Sequence, residues 1–299
     1  SNVTGCALEI EKALEEAGLP DHIFQALIVP SSAMENVIAH NTVSAITFTG
    51  SNSGGSKVAA IAGKHLKKQV LELGGSDAYV ILADADMKKA VEICTTSRLN
   101  NTGQSCISAK RFVVDKKVIS TFETQMAEEM QQRKYGDPMN TATQLGPLAR
   151  HDLRDALHKQ VEESVARGAK ILCGGFIPDE EGAFYPPTVL TNVKKGMPAY
   201  DEEMFGPVAA IIEAQDEEDA IRIANDSIYG LGGAIFSRDV KKAEQIAEER
   251  LEAGSVFVND FVRSDARLPF GGVKQSGYGR ELSYYGLREF VNIKTIFVR

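Results

Sequence analysis

The chain has 299 residues, and its 33 Lys and Arg against 41 Asp and Glu give a formal net charge of −8. This length allows two domains of ordinary size. The composition, 43% hydrophobic and 25% charged, is typical of globular proteins rather than of disordered or fibrous ones. The acidic balance disfavours nucleic acid as a partner, because proteins that bind the phosphate backbone usually carry a basic face.

The sequence shows no sign of a membrane segment, a secretory signal or a metal site. Its apolar stretches are far shorter than the roughly 20 residues that span a bilayer, and no basic region followed by an apolar run opens it. We therefore expect a cytoplasmic protein without a membrane partner. Four cysteines (Cys6, Cys94, Cys106 and Cys173) lie far apart, and the five histidines lack metal-binding spacing, so we expect free thiols and no metal.

Helical and strand patterns alternate along the chain, which predicts an α/β fold with a mostly parallel, doubly wound sheet. The predicted elements begin with helix 4–17, strand 24–29, helix 32–40, strand 45–49, helix 57–66 and strand 69–73. After two glycines they continue with strand 78–82, helix 87–99, strand 111–115, helix 118–134, helix 153–167, strands 170–172, 188–190 and 208–212, helix 217–225, strand 234–236, helix 240–251 and strand 255–258. A doubly wound domain usually begins with a strand, so we expect an N-terminal portion to be missing.

A glycine-rich turn from Gly50 to Gly55 separates a predicted strand from a predicted helix. Such a turn can point backbone N–H groups and a helix dipole at a phosphate. The spacing does not match Gly-x-Gly-x-x-Gly, and Ser56 before Lys57 breaks the phosphate-loop pattern. Ordinary turn chemistry therefore remains an alternative to phosphate binding.

Glu72 is a charged residue inside an apolar strand pattern and is followed by two glycines. A carboxylate in this position is either a surface-edge residue or a buried group. Burial would raise its pKa towards neutrality, where it could act as a general base.

Cys106 follows a polar loop that contains Gly103 and precedes residues 107–110, which could begin a helix. A helix N-terminus would favour the thiolate and so a nucleophile. The alternative is that Cys106 is a small buried hydrophobic residue, as we expect for the other three cysteines.

Five segments, in this order, together resemble the aldehyde dehydrogenase superfamily, and the resemblance covers essentially the whole chain. They are Phe48-Thr49-Gly50-Ser51, Leu71-Glu72-Leu73-Gly74-Gly75, Asn101-Thr102-Gly103-Gln104-Ser105-Cys106, Glu203-Met204-Phe205-Gly206-Pro207 and Pro269-Phe270-Gly271-Gly272.

The resemblance implies a role for each matching residue in NAD- or NADP-dependent aldehyde oxidation. It implies that Cys106 is the nucleophile and Glu72 the general base. The implied cofactor-binding residues are Gly50, Ser51 and Gly55 at the phosphates, Leu73 and Gly74 at the nicotinamide, Glu203 at its ribose and Phe205 beside its ring. In the family an asparagine far upstream of the cysteine helps to hold the oxyanion. This sequence has no counterpart of it, so we expect weak or absent turnover unless the missing segment is supplied.

The resemblance also implies a domain plan and an assembly. Residues 1–75 and 276–290 would form a Rossmann-like cofactor domain, incomplete at its N-terminus, and residues 76–275 the α/β catalytic domain. Residues 291–299 would form an oligomerisation strand of a homo-oligomer, a dimer or a tetramer.

The substrate is less clearly indicated than the reaction. Residues 263–281 resemble those of bacterial succinate-semialdehyde dehydrogenases, and Ser264 or an arginine could bind a substrate carboxylate. Against this, Asn100 occupies a position where that group often has arginine. Two other hypotheses remain: a truncated scaffold that binds no cofactor, and a cysteine hydrolase that pairs Cys106 with a histidine.

Overall fold

A computed structural model describes residues 3–299, and helices and strands alternate through most of this range. Its α-helices are α1 Thr4–Glu16, α2 Met34–Ala39, α3 Asn52–Lys64, α4 Met87–Leu99, α5 Ile119–Gln131, α6 His151–Ala166, α7 Pro198–Asp201, α8 Glu217–Asn225, α9 Val240–Glu249 and α10 Ser283–Glu289. Short 3-10 turns lie at Ser31–Ala33 and Asn100–Gly103.

The strands of the described chain are β1 Ala45–Thr49, β2 Lys68–Glu72, β3 Ala78–Ile81, β4 Arg111–Asp115, β5 Lys170–Cys173, β6 Thr188–Thr191, β7 Val208–Ala214, β8 Tyr229–Gly230, β9 Gly232–Phe236, β10 Ser255–Val258, β11 Val273–Lys274 and β12 Gly277–Tyr278. β8 and β11 pair only with each other, as a short antiparallel ribbon.

Seven strands form the larger sheet, in the order β10-β9-β3-β4-β7-β6-β5. Its neighbouring strands run parallel except β5, which is antiparallel to β6. Side chains alternate between the two faces of a strand, so Val80 packs into one core cluster and Tyr79 into another. Helices α6, α8 and α9 contribute to the first cluster, and α4 and α5 to the second. Because helices cover both faces of the sheet, its strands are nearly continuous apolar runs. The α/β prediction is confirmed.

The smaller sheet has the order β1-β2-β12 and supplies one side of the candidate site. β1 and β2 are parallel, with Thr49 opposite Glu72, and β12 is antiparallel to β2, with Gly277 opposite Glu72. Residues 73–77 then lead directly from β2 into β3 of the larger sheet. The boundary predicted at residue 75 falls in this connection, and the division into a cofactor and a catalytic domain stays a prediction. Ser1 and Asn2, the first residues of the predicted cofactor domain, lie outside the described residues.

The strand predicted over residues 24–29 is wrong. This segment is irregular, and Leu27 and Ile28 are each 67% exposed. A strand needs a partner for its backbone groups, and no strand of the described chain pairs with it. The helix predicted from residue 57 begins earlier, at Asn52, because the Ser51 hydroxyl accepts a hydrogen bond from Gly54 N at 3.2 Å and caps it.

Residues 291–299 form no strand within the described chain. Ile293, Phe297 and Val298 are more than four-fifths exposed. The predicted strand would pair with another subunit, so pairing at this segment stays a prediction. Among residues 3–299, no helix combines the length and the apolar character needed to cross a membrane.

Candidate active site

Glu72 is the last residue of β2 and lies between β1 and β12, where its side chain is only 3% exposed. Within the described chain neither of its carboxylate oxygens has a hydrogen-bond donor. The pKa of Glu72 is raised to about 7, mainly by burial and also by the negative charge of Glu281, while the positive charge of Arg280 opposes the increase. A carboxyl group that titrates near neutrality can accept a proton from water, as a general base must.

Cys106 lies in a turn between α4 and β4, not at the start of a helix. Asn101, Thr102 and Gly103 have left-handed backbone angles, with φ of 51°, 56° and 74°, and they reverse the chain after α4. Ser108 N then donates to Ser105 O at 3.3 Å, and the chain enters β4 without an intervening helix. The expected helix N-terminus beside the thiol is therefore wrong.

The thiol of Cys106 is partly buried. Burial raises its pKa; Lys110 opposes this effect, whereas the carboxylates of Asp77, Glu203 and Glu72 add to it. The same four charged groups thus lie close enough to Cys106 to influence its ionisation. Of the other three thiols, Cys94 and Cys173 are buried as predicted, whereas the prediction is wrong for Cys6, which lies exposed on α1.

Gly74 and Gly75 are both buried, follow Glu72 directly, and lie against Glu203 and the main chain of Cys106. A Cβ on Gly74 would lie 2.5 Å from Glu203 Oε2, and a Cβ on Gly75 would lie 2.6 Å from Cys106 O. Gly75 N also donates to Glu203 Oε1 at 3.0 Å. Because no side chain projects from this segment, the Glu203 carboxylate and the Cys106 main chain can approach it closely.

The glycine-rich turn lies at the N-terminus of α3. Gly50 and Ser51 are exposed, whereas Gly55 is buried, and a Cβ on Gly55 would lie 2.4 Å from the Leu73 side chain. Internal packing therefore accounts for Gly55. The exposed turn also ends at the first turn of a 13-residue helix, whose dipole and N–H groups suit a phosphate.

Asn52 is a residue of this turn that sequence reasoning missed. Its side-chain Oδ1 accepts from Gly74 N at 3.3 Å, and its Nδ2 donates to Gln275 O at 2.5 Å. It therefore ties the start of α3 to both the connection after β2 and the segment before β12. No sequence pattern singled it out, because both partners are distant main-chain groups.

Phe205 and Ser264 lie at the periphery of this arrangement. The Phe205 ring is 40% exposed and lines a cleft with Glu203 and with Leu157 and Gln160 of α6. Ser264 is exposed in the loop after β10. Its predicted role as a substrate ligand stays a prediction.

Buried charges beneath the site were also missed. Lys110 is fully buried, and its Nζ lies 3.5 Å from Glu203 Oε1. Asp77 accepts from Gly232 N at 3.1 Å, and burial raises its pKa to about 6. In the sequence, Asp77 and Lys110 each lie beside an apolar strand. A charged residue at such a position can indicate a buried charge, as it did for Glu72. Across the described chain no three His, Cys, Asp or Glu side chains are arranged to hold a metal ion.

The sequence model of the aldehyde dehydrogenase family matches residues 1–296. The chain belongs to the aldehyde dehydrogenase family. It is 47% identical over 296 residues to the succinate semialdehyde dehydrogenase [NAD(P)+] Sad of Escherichia coli (strain K12), with 99% of this chain and 64% of that protein covered. It is 46% identical over 298 residues to the succinate-semialdehyde dehydrogenase [NADP(+)] of Mycobacterium avium (strain 104), with 100% and 63% covered.

Solved aldehyde dehydrogenase structures share this fold. The crystal structure of succinic semialdehyde dehydrogenase from Streptococcus pyogenes in complex with NADP+ matches with a TM-score of 0.95 and 40% identity, over 98% of this chain and 64% of that one. The family resemblance read from the five sequence segments is thus confirmed. The chain spans slightly less than two thirds of the length of these relatives.

Proposed function

We propose that this chain carries the nucleophile and the general base of an enzyme that oxidises an aldehyde to a carboxylic acid with NAD or NADP. The observation that carries the proposal is the convergence of Cys106, Glu72 and Glu203 on the buried Gly74–Gly75 connection. Both the fully buried carboxyl of Glu72 and the partly buried thiol of Cys106 belong to the motifs that indicated the family.

The proposed reaction has two steps, the first carried out by Cys106 and the second by Glu72. The Cys106 thiolate adds to the aldehyde carbon to give a thiohemiacetal, and loss of hydride from that carbon leaves a thioester. Glu72 then takes a proton from water, the water oxygen adds to the thioester carbon, and the acid leaves as the Cys106 thiolate is restored. The Cys106 backbone N–H is the proposed donor to the tetrahedral oxyanion.

NAD or NADP, when bound, supplies the hydride acceptor. The exposed turn at Gly50 and Ser51 before α3 fits its phosphates, with Gly55 packed beneath. Glu203, whose carboxylate fills the space that a side chain on Gly74 would need, is the proposed ribose ligand, with Leu73 and Gly74 at the nicotinamide. The half-exposed ring of Phe205 would flank the nicotinamide.

We propose succinate semialdehyde as the substrate, since the relatives described above carry that name. Ser264 remains the candidate ligand of its distal carboxylate. The asparagine at position 100 argues in the other direction, because it offers a carboxylate no positive charge. Comparison of succinate semialdehyde with butanal, which lacks the carboxylate, would show whether this group is recognised.

The Glu72→Gln variant tests the proposed division of roles. With the base removed, the thioester should accumulate, so incubation with succinate semialdehyde and NADP should leave a succinyl group on Cys106, detectable by peptide mass spectrometry. The Cys106→Ala variant is the matched control and should carry no acyl group at this position. Undiminished acid formation by Glu72→Gln, with no adduct, would contradict the assignment.

The alternative is that the chain is a scaffold that binds no nucleotide. This alternative rests on the fact that the chain spans only 64% of the length of the Escherichia coli relative. A ligand that binds only the folded state must raise its melting temperature. At about 100 times its Kd, NAD or NADP should stabilise the chain by about 2.7 kcal/mol. The absence of a shift with either nucleotide would favour the scaffold.

A further inference from the structure

Lys110 lies directly beneath the Cys106 turn, with its ammonium shielded from solvent. Its Nζ donates to Ser105 O at 2.9 Å and to Cys106 O at 2.7 Å. Glu203 Oε1 lies 3.5 Å from the same nitrogen. The cation therefore faces three oxygens, two of them from the turn that carries the thiol.

These contacts are unusual for a lysine because a buried ammonium is costly unless oxygens surround it. Burial lowers the pKa of Lys110, whereas the negative charges of Glu203 and Asp77 favour its charged form and the nearby Arg98 disfavours it. A methionine or leucine would fill the same space without this cost. The position of the charge, next to Cys106, thus calls for a role other than packing.

We propose that Lys110 is a positioning residue for Cys106, which holds the Ser105–Cys106 main chain in place and sets a positive charge against a thiol that otherwise faces Asp77, Glu203 and Glu72. The inference rests on the proposed role of Cys106 as nucleophile. Because Glu203 Oε1 also accepts from Gly75 N, the same ammonium links the thiol turn to the carboxylate proposed to hold the cofactor.

The test is the pH dependence of Cys106 alkylation by iodoacetamide, followed for this cysteine alone by peptide mass spectrometry. The thiolate is the form that reacts. A cation beside a thiol lowers its pKa, so Lys110→Met should move the midpoint of alkylation upward by about one pH unit and slow alkylation below the midpoint about tenfold. A purely structural role would leave the midpoint unchanged.

Lys274→Met is the matched control. Lys274 Nζ also donates to two main-chain carbonyls, Asn225 O at 2.8 Å and Ser227 O at 3.3 Å, and lies 2.7 Å from Glu252 Oε2. Cys106 is not among these partners. The Lys274 variant should therefore keep the alkylation profile of the unsubstituted chain, whatever its effect on stability.

Two further variants separate charge from hydrogen bonding. Lys110→Arg keeps a cation and should preserve most of the profile, whereas Lys110→Gln keeps a donor without charge and should shift it as Met does. Unshifted midpoints in the folded Met and Gln variants would overturn the proposal. So would an equal shift in the Lys274 variant, or failure of all three Lys110 variants to fold by circular dichroism, which would assign Lys110 to folding.

These outcomes are distinct from failure of the proposed function. If Glu72→Gln traps an acyl group on Cys106 but Lys110→Met leaves the midpoint unchanged, the positioning role alone is wrong. If Cys106 neither alkylates nor becomes acylated, the nucleophile assignment itself fails.

Discussion

The Glu72 carboxyl and the Cys106 thiol are both withdrawn from water, and burial raises the pKa of each. For the carboxyl, the increase gives a stronger base at neutral pH. For the thiol, it makes the thiolate scarcer but intrinsically more nucleophilic. At the scale of single residues, burial therefore favours the role proposed for Glu72, whereas the role proposed for Cys106 would need the nearby cation of Lys110 to favour the thiolate.

The raised pKa of Glu72 predicts a stability that falls as pH rises. An acid whose pKa changes from 4.5 in the unfolded chain to about 7 in the folded one binds its proton more tightly when folded. The free energy of unfolding therefore declines between these two pKa values as pH increases. Glu72→Gln should be more stable than the unsubstituted chain by about 2 kcal/mol near about pH 8, and lose this advantage near about pH 4.

Urea unfolding at the two pH values measures this difference. Glu92→Gln provides the control, because Glu92 is exposed on α4 and its substitution should produce no comparable pH-dependent gain. Equal stability of Glu72→Gln and the unsubstituted chain at both pH values would contradict the burial argument.

At the scale of elements, the turn after α4 depends on Gly103. Its φ of 74° suits glycine, and a Cβ would lie 2.3 Å from Gly206 O. Gly103→Ala should therefore destabilise the fold by about 2 kcal/mol or more and displace the thiol turn. Urea unfolding measures the first effect, and the rate of Cys106 alkylation measures the second.

The Gly63→Ala substitution should have the opposite effect on stability from Gly103→Ala. Gly63 is exposed within α3, and nothing lies within 4 Å of a Cβ built on it. Alanine should stabilise the helix by about 0.5–1 kcal/mol. A loss of stability in Gly63→Ala, or an unchanged Gly103→Ala variant, would contradict the steric interpretation of the two glycines.

The sequence predicted the elements of the larger sheet well because a strand covered on both faces has a continuous apolar run, as Val208–Ala214 does. The strand predicted at residues 24–29 failed because an apolar segment does not reveal whether a partner strand is available. The helix expected after Cys106 failed because a turn closed by Ser108 N and Ser105 O leads directly into β4 at Arg111, which leaves too few residues for a helix.

At the scale of the whole molecule, the site was predictable where one residue stood out from an apolar pattern, as Glu72 does. Asn52 was not predicted, because its partners Gly74 N and Gln275 O are distant in the sequence and meet it only in the fold. Lys110 was not predicted although its partners Ser105 O and Cys106 O are near in the sequence. A main-chain partner leaves no recognisable residue type in the sequence.

The exposed apolar residues of 291–299 predict assembly through this segment. If residues 291–299 pair as a strand with another subunit, Ile293→Asp should lower the mass measured by light scattering at a given protein concentration, because a charge would enter the paired face. Asn292→Asp adds the same charge on the opposite face and should preserve the mass. An unchanged mass in Ile293→Asp would count against pairing here.

The cytoplasmic location expected from the sequence stays a prediction.

The five residues 73–77 are the direct passage from the smaller sheet to the larger one, with Glu72 at one end and the Cys106 turn packed against the middle. A rotation of one sheet against the other would change the separation of base and thiol through this short joint. In the proposed reaction, bulk added at Gly75 would therefore change the rate of thioester hydrolysis even if the Glu72 carboxyl and the Cys106 thiol each kept its pKa.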